Sequence, residues 1–281
     1  MASAWDLFDE WSKTKINKSF ATRESIRVSA KHLKPYLEKI TVDEINQIWW
    51  QNVYVADKLK SGSRKFFNDW KWLTNFLKFS YKAGYTKNQS MLENPDLPSD
   101  EGIYLSDDEI EALRQFANDD LKLQIELGFR HFMRRSEVLL LEWREINFKK
   151  AMIELPAIRT KIRKARKIPI SKSVLNALFE RKSKSTSEYV FPSLKSNGRS
   201  IGRTGNDTAW KLAIKRANSS TERVNPKATF HDLRHSGLTR AFAASNKYAE
   251  ICAVAGLSIQ MAQKTYLHFQ TDHLKFAADL V

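Results

Sequence analysis

Between Asn94 and Gly102 the chain reads Asn-Pro-Asp-Leu-Pro-Ser-Asp-Glu-Gly, and neither a regular helix nor a strand runs easily through it. Each proline lacks an amide donor and restricts the residue before it. The glycine and the polar side chains favour an extended linker. A compact fold therefore has to close separately on each side. The chain has 281 residues, enough for two domains that each bury a core. The expected division is residues 1–93, a linker at 94–104 and residues 105–281.

The two sides differ in periodicity. Before the linker the pattern is helical, with an amphipathic Ala4 to Ser12, a second helix from Thr22 to Tyr36, and Thr41 as N-cap of a helix from Val42 to Asn52. Phe66, Trp70, Leu73, Leu77 and Tyr81 form one stripe at helical spacing, which is the spacing of a packed face rather than of a base-stacking platform. After the linker, Ser106 with Glu109 has the form of a capping box, and Leu121 to Trp143 reads as one or two helices. The period then shortens. Ile146 to Phe148, Met152 to Leu155 and Lys167 to Ile170 are strand-like runs separated by turns. Helical patterns return at Val174 to Lys182, Asp207 to Asn218, His231 to Ser245, Tyr248 to Ala255 and Ile259 to Tyr266. The expected fold class is mainly α with a small antiparallel β-sheet (α+β).

Composition narrows the partner. There are 47 Lys and Arg against 32 Asp and Glu, a formal net charge of +15, which favours a polyanion. Hydrophobic residues make up 42% of the chain, so it is a folded protein and not a basic tail. The one cysteine, Cys252, lies in an apolar run and reads as a small core residue, and its solitude rules out an internal disulfide framework. No apolar run reaches the length of a membrane span, and the N-terminus lacks the basic and apolar regions of a secretion signal. The expected compartment is the cytoplasm of a cell without a nucleus, with no membrane partner.

Three clusters carry candidate chemistry. In His231-Asp232-Leu233-Arg234-His235 a histidine and an arginine three apart share one helix face. The guanidinium offers a rigid fork suited to phosphate oxygens, and the imidazole moves a proton near neutral pH. A tyrosine follows 32 residues after Arg234, at Tyr266, where its hydroxyl has the chemistry of a covalent nucleophile. A competing reading takes His231 and His235 as zinc ligands, as in His-Glu-x-x-His. Against it, Arg234 would set a fixed cation beside the metal, and Asp232 is a methylene shorter than the usual glutamate base. His235 alone reads as a hydrogen-bonded core histidine.

The second cluster is Arg134-Arg135-Ser136-Glu137, which opens an apolar run from Val138 to Leu141. The two arginines point about 100° apart around a helix, so at most one of them shares the buried side, and an arginine there needs an anionic partner. That partner is either Glu137 or a phosphate. The third is Arg159-Thr160-Lys161-Ile162-Arg163-Lys164-Ala165-Arg166-Lys167, basic at six of nine positions and lying between two strands. A solvated face is the ordinary reading of such a run. On a hairpin, Arg159, Arg163, Lys164, Arg166 and Lys167 also suit contacts to the DNA backbone or a groove.

Taken together, these stretches resemble the tyrosine recombinase (phage integrase) family in order and spacing, over roughly residues 104–268. The resemblance rests on Arg134 to Glu137, Lys161 on its hairpin, His231-x-x-Arg234-His235, and Tyr266 ten residues after Gly256. It implies a helical core-binding domain followed by a tyrosine-recombinase catalytic domain. Because the helical pattern begins almost at Met1, the separate arm-binding domain of some integrases is expected to be absent.

The resemblance also implies roles. Tyr266 would attack the scissile phosphate and form a 3′-phosphotyrosyl link. Arg134 and Arg234 would hold the non-bridging oxygens, Lys161 would protonate the departing 5′-oxygen, and His231 would take the tyrosine proton or orient the phosphate. Glu137, His235 and His268 match supporting positions. Neither metal nor cofactor is expected. The implied partner is double-stranded DNA, held by four protomers on two duplexes with room for accessory DNA-bending proteins, in the integration or excision of a mobile element. The tail from Thr271 to Val281 would dock on a neighbouring protomer or on its own domain. Two departures stand out. Leu257 occupies a position where the family usually has histidine or tryptophan, and leucine donates no hydrogen bond. Phe132 stands where glycine is usual. Leu257 keeps open a DNA-binding paralogue impaired in catalysis, and the shared chemistry keeps open a type IB topoisomerase.

Overall fold

The computed structural model describes residues 2–60, 66–89, 91–93, 102–160, 164–193, 205–220 and 223–266. Lys161, Arg163, His268, most of the expected linker and the tail from Thr271 lie outside them. The chain divides into two compact units, Met1–Asp100 and Glu101–Val281.

The first unit is helical. Ser3 caps α1 (Ala4–Lys13) by accepting from the Asp6 amide, and Asp6 returns the bond to the Ser3 backbone. α2 (Phe20–Leu37) packs on α1 and on α5 (Phe67–Lys82). Between α2 and α5 the structure departs from the expected helix over Val42 to Asn52. Thr41 does cap, but it caps only a 3-10 turn, Val42–Glu44, after which Ile45 is extended. Asn46 then restarts the chain as α3 (Gln47–Trp49), a π-helical stretch Trp50–Val55 and α4 (Ala56–Lys60). The wide turn stacks Trp50 on Tyr54 at 4.8 Å. The aromatic stripe is core, as its spacing indicates. Phe66, Leu73 and Leu77 are buried and Phe76 joins them, packing edge-on to Phe8 at 5.2 Å, while Tyr81 faces out.

In the second unit α6 (Asp107–Phe116) starts at the Ser106–Glu109 capping box, and α7 (Asp119–Phe129) is capped by Asn118. The run that continues from Leu121 breaks after α7 and resumes as a short α8 (Arg135–Leu139). A three-stranded antiparallel sheet follows, β1 (Ile146–Asn147), β2 (Met152–Leu155) and β3 (Arg166–Pro169) in that order, with Ile153 opposite Ile168 and Glu154 opposite Lys167. Helices α9 (Lys172–Ser183), α10 (Asp207–Asn218), α11 (Phe230–Ala244), α12 (Tyr248–Ala255) and α13 (Ile259–Thr265) complete it. The molecule is thus mainly helical with one small antiparallel sheet. Central to the second unit is the packing of α11 along α7. The helices approach so closely that a Cβ on Gly237 would overlap the Phe129 carbonyl, and only glycine fits there. Among the described residues no helix is long and apolar enough to cross a membrane.

Candidate active site

Four chain segments meet at one end of the α7–α11 pair. The first is the turn after α7, where Phe132 has φ 54°, a left-handed conformation that costs an L-residue about 1–2 kcal/mol. The buried Met133 anchors the far side, its amide donating to the Leu127 carbonyl at 3.1 Å. The turn sets Arg134 at the N-cap of α8. There the Arg134 amide donates to Glu137 Oε2 at 2.8 Å and its Nη1 to Glu137 Oε1 at 2.9 Å. The ion pair anticipated from the i to i+3 spacing therefore forms, and a second fork atom, Nη2, reaches the Gly256 carbonyl at 2.9 Å.

The second segment is α11. Thr229 and Asp232 form its capping box, and Asp232 also accepts from the Ile103 amide at 3.1 Å. Two residues on, Arg234 points inward and is only 3% exposed. Its Nη1 donates to the Phe132 carbonyl and its Nη2 to the Ala255 carbonyl at 2.8 Å. Burial, then the neighbouring Arg134 and Arg166, lower the Arg234 pKa to about 9. His231, one turn earlier, opens to solvent. Desolvation by the protein around it, followed by the Arg234 charge, lowers its pKa, so the ring favours the neutral form that accepts a proton.

The third segment is the end of α12. Gly256 turns left-handed at φ 64° and leaves the Ala255 and Gly256 carbonyls free of helix partners. Arginines take both. Cations at a helix C-terminus are favoured by its partial negative charge, and here they also tie α12 to α8 and α11. The fourth segment is α13. Tyr266 stands at its C-cap, half-buried, its ring 5.2 Å from His235 and 5.4 Å from Phe242. Burial raises the Tyr266 pKa, while the charges of Arg234 and Arg134 pull it down. Leu238, Phe242, Cys252, Ala255 and Ala262 form the apolar cluster beneath, with Phe132 and Leu257 packed against it alongside Tyr266. Cys252 is buried in it, as its apolar setting indicates.

Positive charge held on fixed forks beside a tyrosine hydroxyl and a neutral imidazole is suited to an anionic tetrahedral centre. Comparison with known proteins narrows that description. The sequence profile of the phage integrase family matches residues 104–273. The chain belongs to the phage integrase family. A curated relative, the shufflon-specific DNA recombinase of Escherichia coli, is 26% identical over 202 residues, which are 70% of this chain and 48% of that protein. The chain thus spans about half the length of the curated relative it matches. Among solved structures, the Tn1549 transposon integrase in complex with circular intermediate DNA covers 99% of both chains at 17% identity, with a TM-score of 0.81. A lambda integrase dimer bound to a COC′ core site covers 94% of this chain and 77% of that one at 15% identity, with a TM-score of 0.76. At such identities the likeness is one of fold.

In this phage integrase family member Arg134, Glu137, His231, Arg234, His235, Leu257 and Tyr266 converge. The basic run between β2 and β3 does not behave as one surface. Lys164 and Lys167 are exposed. Arg159 is instead spent inside the unit, its Nη1 on Glu142 Oε1 at 3.1 Å and its Nη2 on the Leu140 carbonyl. Arg166 departs furthest from the groove-facing role expected of it. It is 6% exposed and points into the cluster, with Nη2 on Glu137 Oε2 at 2.5 Å and Nη1 on the Ala255 carbonyl. The signal for this lay in strand parity: Arg166 has the same parity as Ile168 and Ile170, both buried, and Lys167 has the opposite one. His235, expected as a hydrogen-bonded core histidine, is only half-buried. It lies between Tyr266 and Gly102, where a Cβ would meet its ring at 3.1 Å. Among the described residues no three His, Cys, Asp or Glu side chains are grouped to hold a metal ion.

Proposed function

We propose that the chain is a site-specific DNA recombinase that cuts and rejoins double-stranded DNA through Tyr266. His231 takes the hydroxyl proton of Tyr266, whose Oη attacks the scissile phosphorus. The bond to the 5′-oxygen breaks, Lys161 gives that oxygen a proton, and the strand is left as a 3′-phosphotyrosyl link with a free 5′-hydroxyl. Attack by a 5′-hydroxyl from a partner strand reverses the step and releases the tyrosine. The covalent link keeps the energy of the phosphodiester, so no nucleotide is consumed. Arg134 and Arg234 hold the non-bridging oxygens and offset the charge gathered in the transition state, a contribution on the order of 100- to 1000-fold in rate per lost donor.

The observation that carries this reading is the convergence of Arg134 and Arg234 on two adjacent carbonyls, Gly256 and Ala255, beside the apolar cluster that seats Tyr266. By the same reading, residues 1–93 form a helical core-binding domain that also binds the duplex, and exchange takes four protomers on two duplexes. The setting is the integration or excision of a mobile element, in the cytoplasm. The test is a covalent trap. Nicked duplexes tiled across the DNA flanking the gene are incubated with the protein and with Tyr266→Phe, then run on a denaturing gel. A shifted band present for the wild type and absent for the variant is expected. DNA binding without such a band on any duplex would mark a protein that binds and does not cut, with Leu257 as the lost donor.

A further inference from the structure

We infer that Arg166 is a positioning residue of the cleavage site, one that sets the spacing between Arg134 and Arg234, and not a contact to DNA. The inference rests on the function proposed above. Arg166 shares one acceptor with each of the other two arginines. Glu137 gives Oε1 to Arg134 at 2.9 Å and Oε2 to Arg166 at 2.5 Å. The Ala255 carbonyl accepts from Arg166 and, at 2.8 Å, from Arg234. Both ends of the Arg166 fork are thereby fixed, while its Nε is buried with no hydrogen-bond partner among the described residues. The group is tied only through the two atoms that reach the other arginines' partners.

Two further features point the same way. A Cβ on Gly256 would meet Arg166 Cδ and Nη1 at 3.0 Å, so the turn between α12 and α13 lies directly on this guanidinium. Moving Arg166 would therefore move the Ala255 and Gly256 carbonyls that hold Arg234 and Arg134. Moreover, the one carboxylate in the cluster, Glu137, pairs with Arg134 and Arg166, while Arg234 bonds two backbone carbonyls. Crowding like charges in a dry site is unfavourable, and buried ion pairs add little net stability. A cluster of this sign is completed by an anion lying against it, which a phosphodiester supplies. Lysine at position 166 would keep the charge but lose the planar fork, and one ammonium cannot hold both acceptors in the same geometry.

The experiment uses the covalent trap with Arg166→Lys, Arg166→Gln, Glu137→Gln and the double variant Glu137→Gln/Arg166→Gln, reading the single-turnover rate of covalent product at saturating DNA, the DNA dissociation constant and the melting temperature. Arg166→Lys is expected to stay folded and to bind DNA within about 3-fold of the wild type. Its product should form about 10- to 100-fold more slowly, the size found when a residue orients a site from behind. The double variant should fall short of the product of its single effects, because Glu137 and Arg166 act through each other. Should Arg166→Gln fail to fold, Arg166→Lys decides. A wild-type rate with only a lowered melting temperature would make Arg166 structural. Weakened binding with an unchanged rate at saturation would make it a DNA contact. Either result overturns the inference while leaving Tyr266 chemistry standing. Absence of a Tyr266-dependent product from the wild type would instead remove the cleavage reading, and the role of Arg166 with it.

Discussion

Tyr54 in the first unit donates its hydroxyl to the buried Asp69 at 2.7 Å, and His32 Nδ1 meets the same carboxylate oxygen at 3.1 Å. Burial and the Asp69 charge both push the Tyr54 pKa upward. Tyr266 in the second unit also sits among aromatic rings and is also raised by burial, yet its charged neighbours are Arg234 and Arg134, which act in the opposite direction. In the first cluster one buried carboxylate, Asp69, answers both Tyr54 and His32. The second is left with more cations than anions. A tyrosine beside a buried carboxylate is held as a phenol and packs. A tyrosine beside an excess of guanidiniums has the rise caused by burial partly offset. The residue type is the same, and the sign of the charge around it sets the direction in which that charge moves its pKa.

Exchanging the hydroxyl in each place is the sharpest way to break this contrast. Tyr266→Phe should abolish the covalent product, while Tyr54→Phe should leave its rate unchanged and lower stability by about 1–3 kcal/mol, since Asp69 loses a buried donor. Single-turnover rates and urea unfolding on both variants check this, and a rate defect in Tyr54→Phe would end the distinction. A smaller effect is expected where the second unit is strained. Phe132→Gly removes a left-handed side chain at φ 54° but also a half-buried ring. The two should nearly cancel, leaving stability within about 1 kcal/mol, whereas Phe242→Ala, at a position 3% exposed, should cost about 3–5 kcal/mol. A Phe132→Gly loss equal to that of Phe242→Ala would mean the ring, not the backbone, dominates at this turn.

The smallest effect is with pH. Burial lowers the pKa of His131 and His235, and desolvation with Arg234 lowers that of His231, all from the ordinary 6.5 and all in the second unit. Below that value the unfolded chain binds protons that the folded unit resists. The stability these groups contribute is therefore fully present above pH 6.5 and is lost as the pH falls through their lowered folded values. Urea midpoints measured from about pH 7.5 down to about pH 5.5 should decline. A flat profile would show that the three rings gain as much protonated as neutral.

Much of this arrangement was legible in the sequence. The capping box at Ser106–Glu109 is local, because its hydrogen bonds close within four residues. The Arg134–Glu137 pair follows from i to i+3 geometry, and the strands from a period of two. Where reading failed, a local signal competed with a longer-range one. The Thr41 cap is real, but Ile45 goes extended and buries itself completely, so the helix begins again at Gln47. Arg159 and Arg166 belonged by composition to a basic surface run, yet each is drawn inward by acceptors far away in sequence. Glu142 and Leu140 hold the first, and Glu137 and Ala255 hold the second. Leu257 lacks a donor, and its place in the fold gives the reason it is tolerated sterically: its side chain joins the apolar cluster beside Tyr266.

By itself the sequence determined most of the helices, the three short strands, the excess of positive charge and the stock of basic, histidine and tyrosine side chains. These depend on periodicity, caps and residue type, which act over a few positions. Only the tertiary structure decided which cations face one another. Arg134, Arg166 and Arg234 lie on α8, β3 and α11, far apart along the chain, and they meet because α12 ends in a left-handed glycine that turns two carbonyls toward all three. A guanidinium's role is set by the acceptors within about 3 Å of it, and those are brought there by packing.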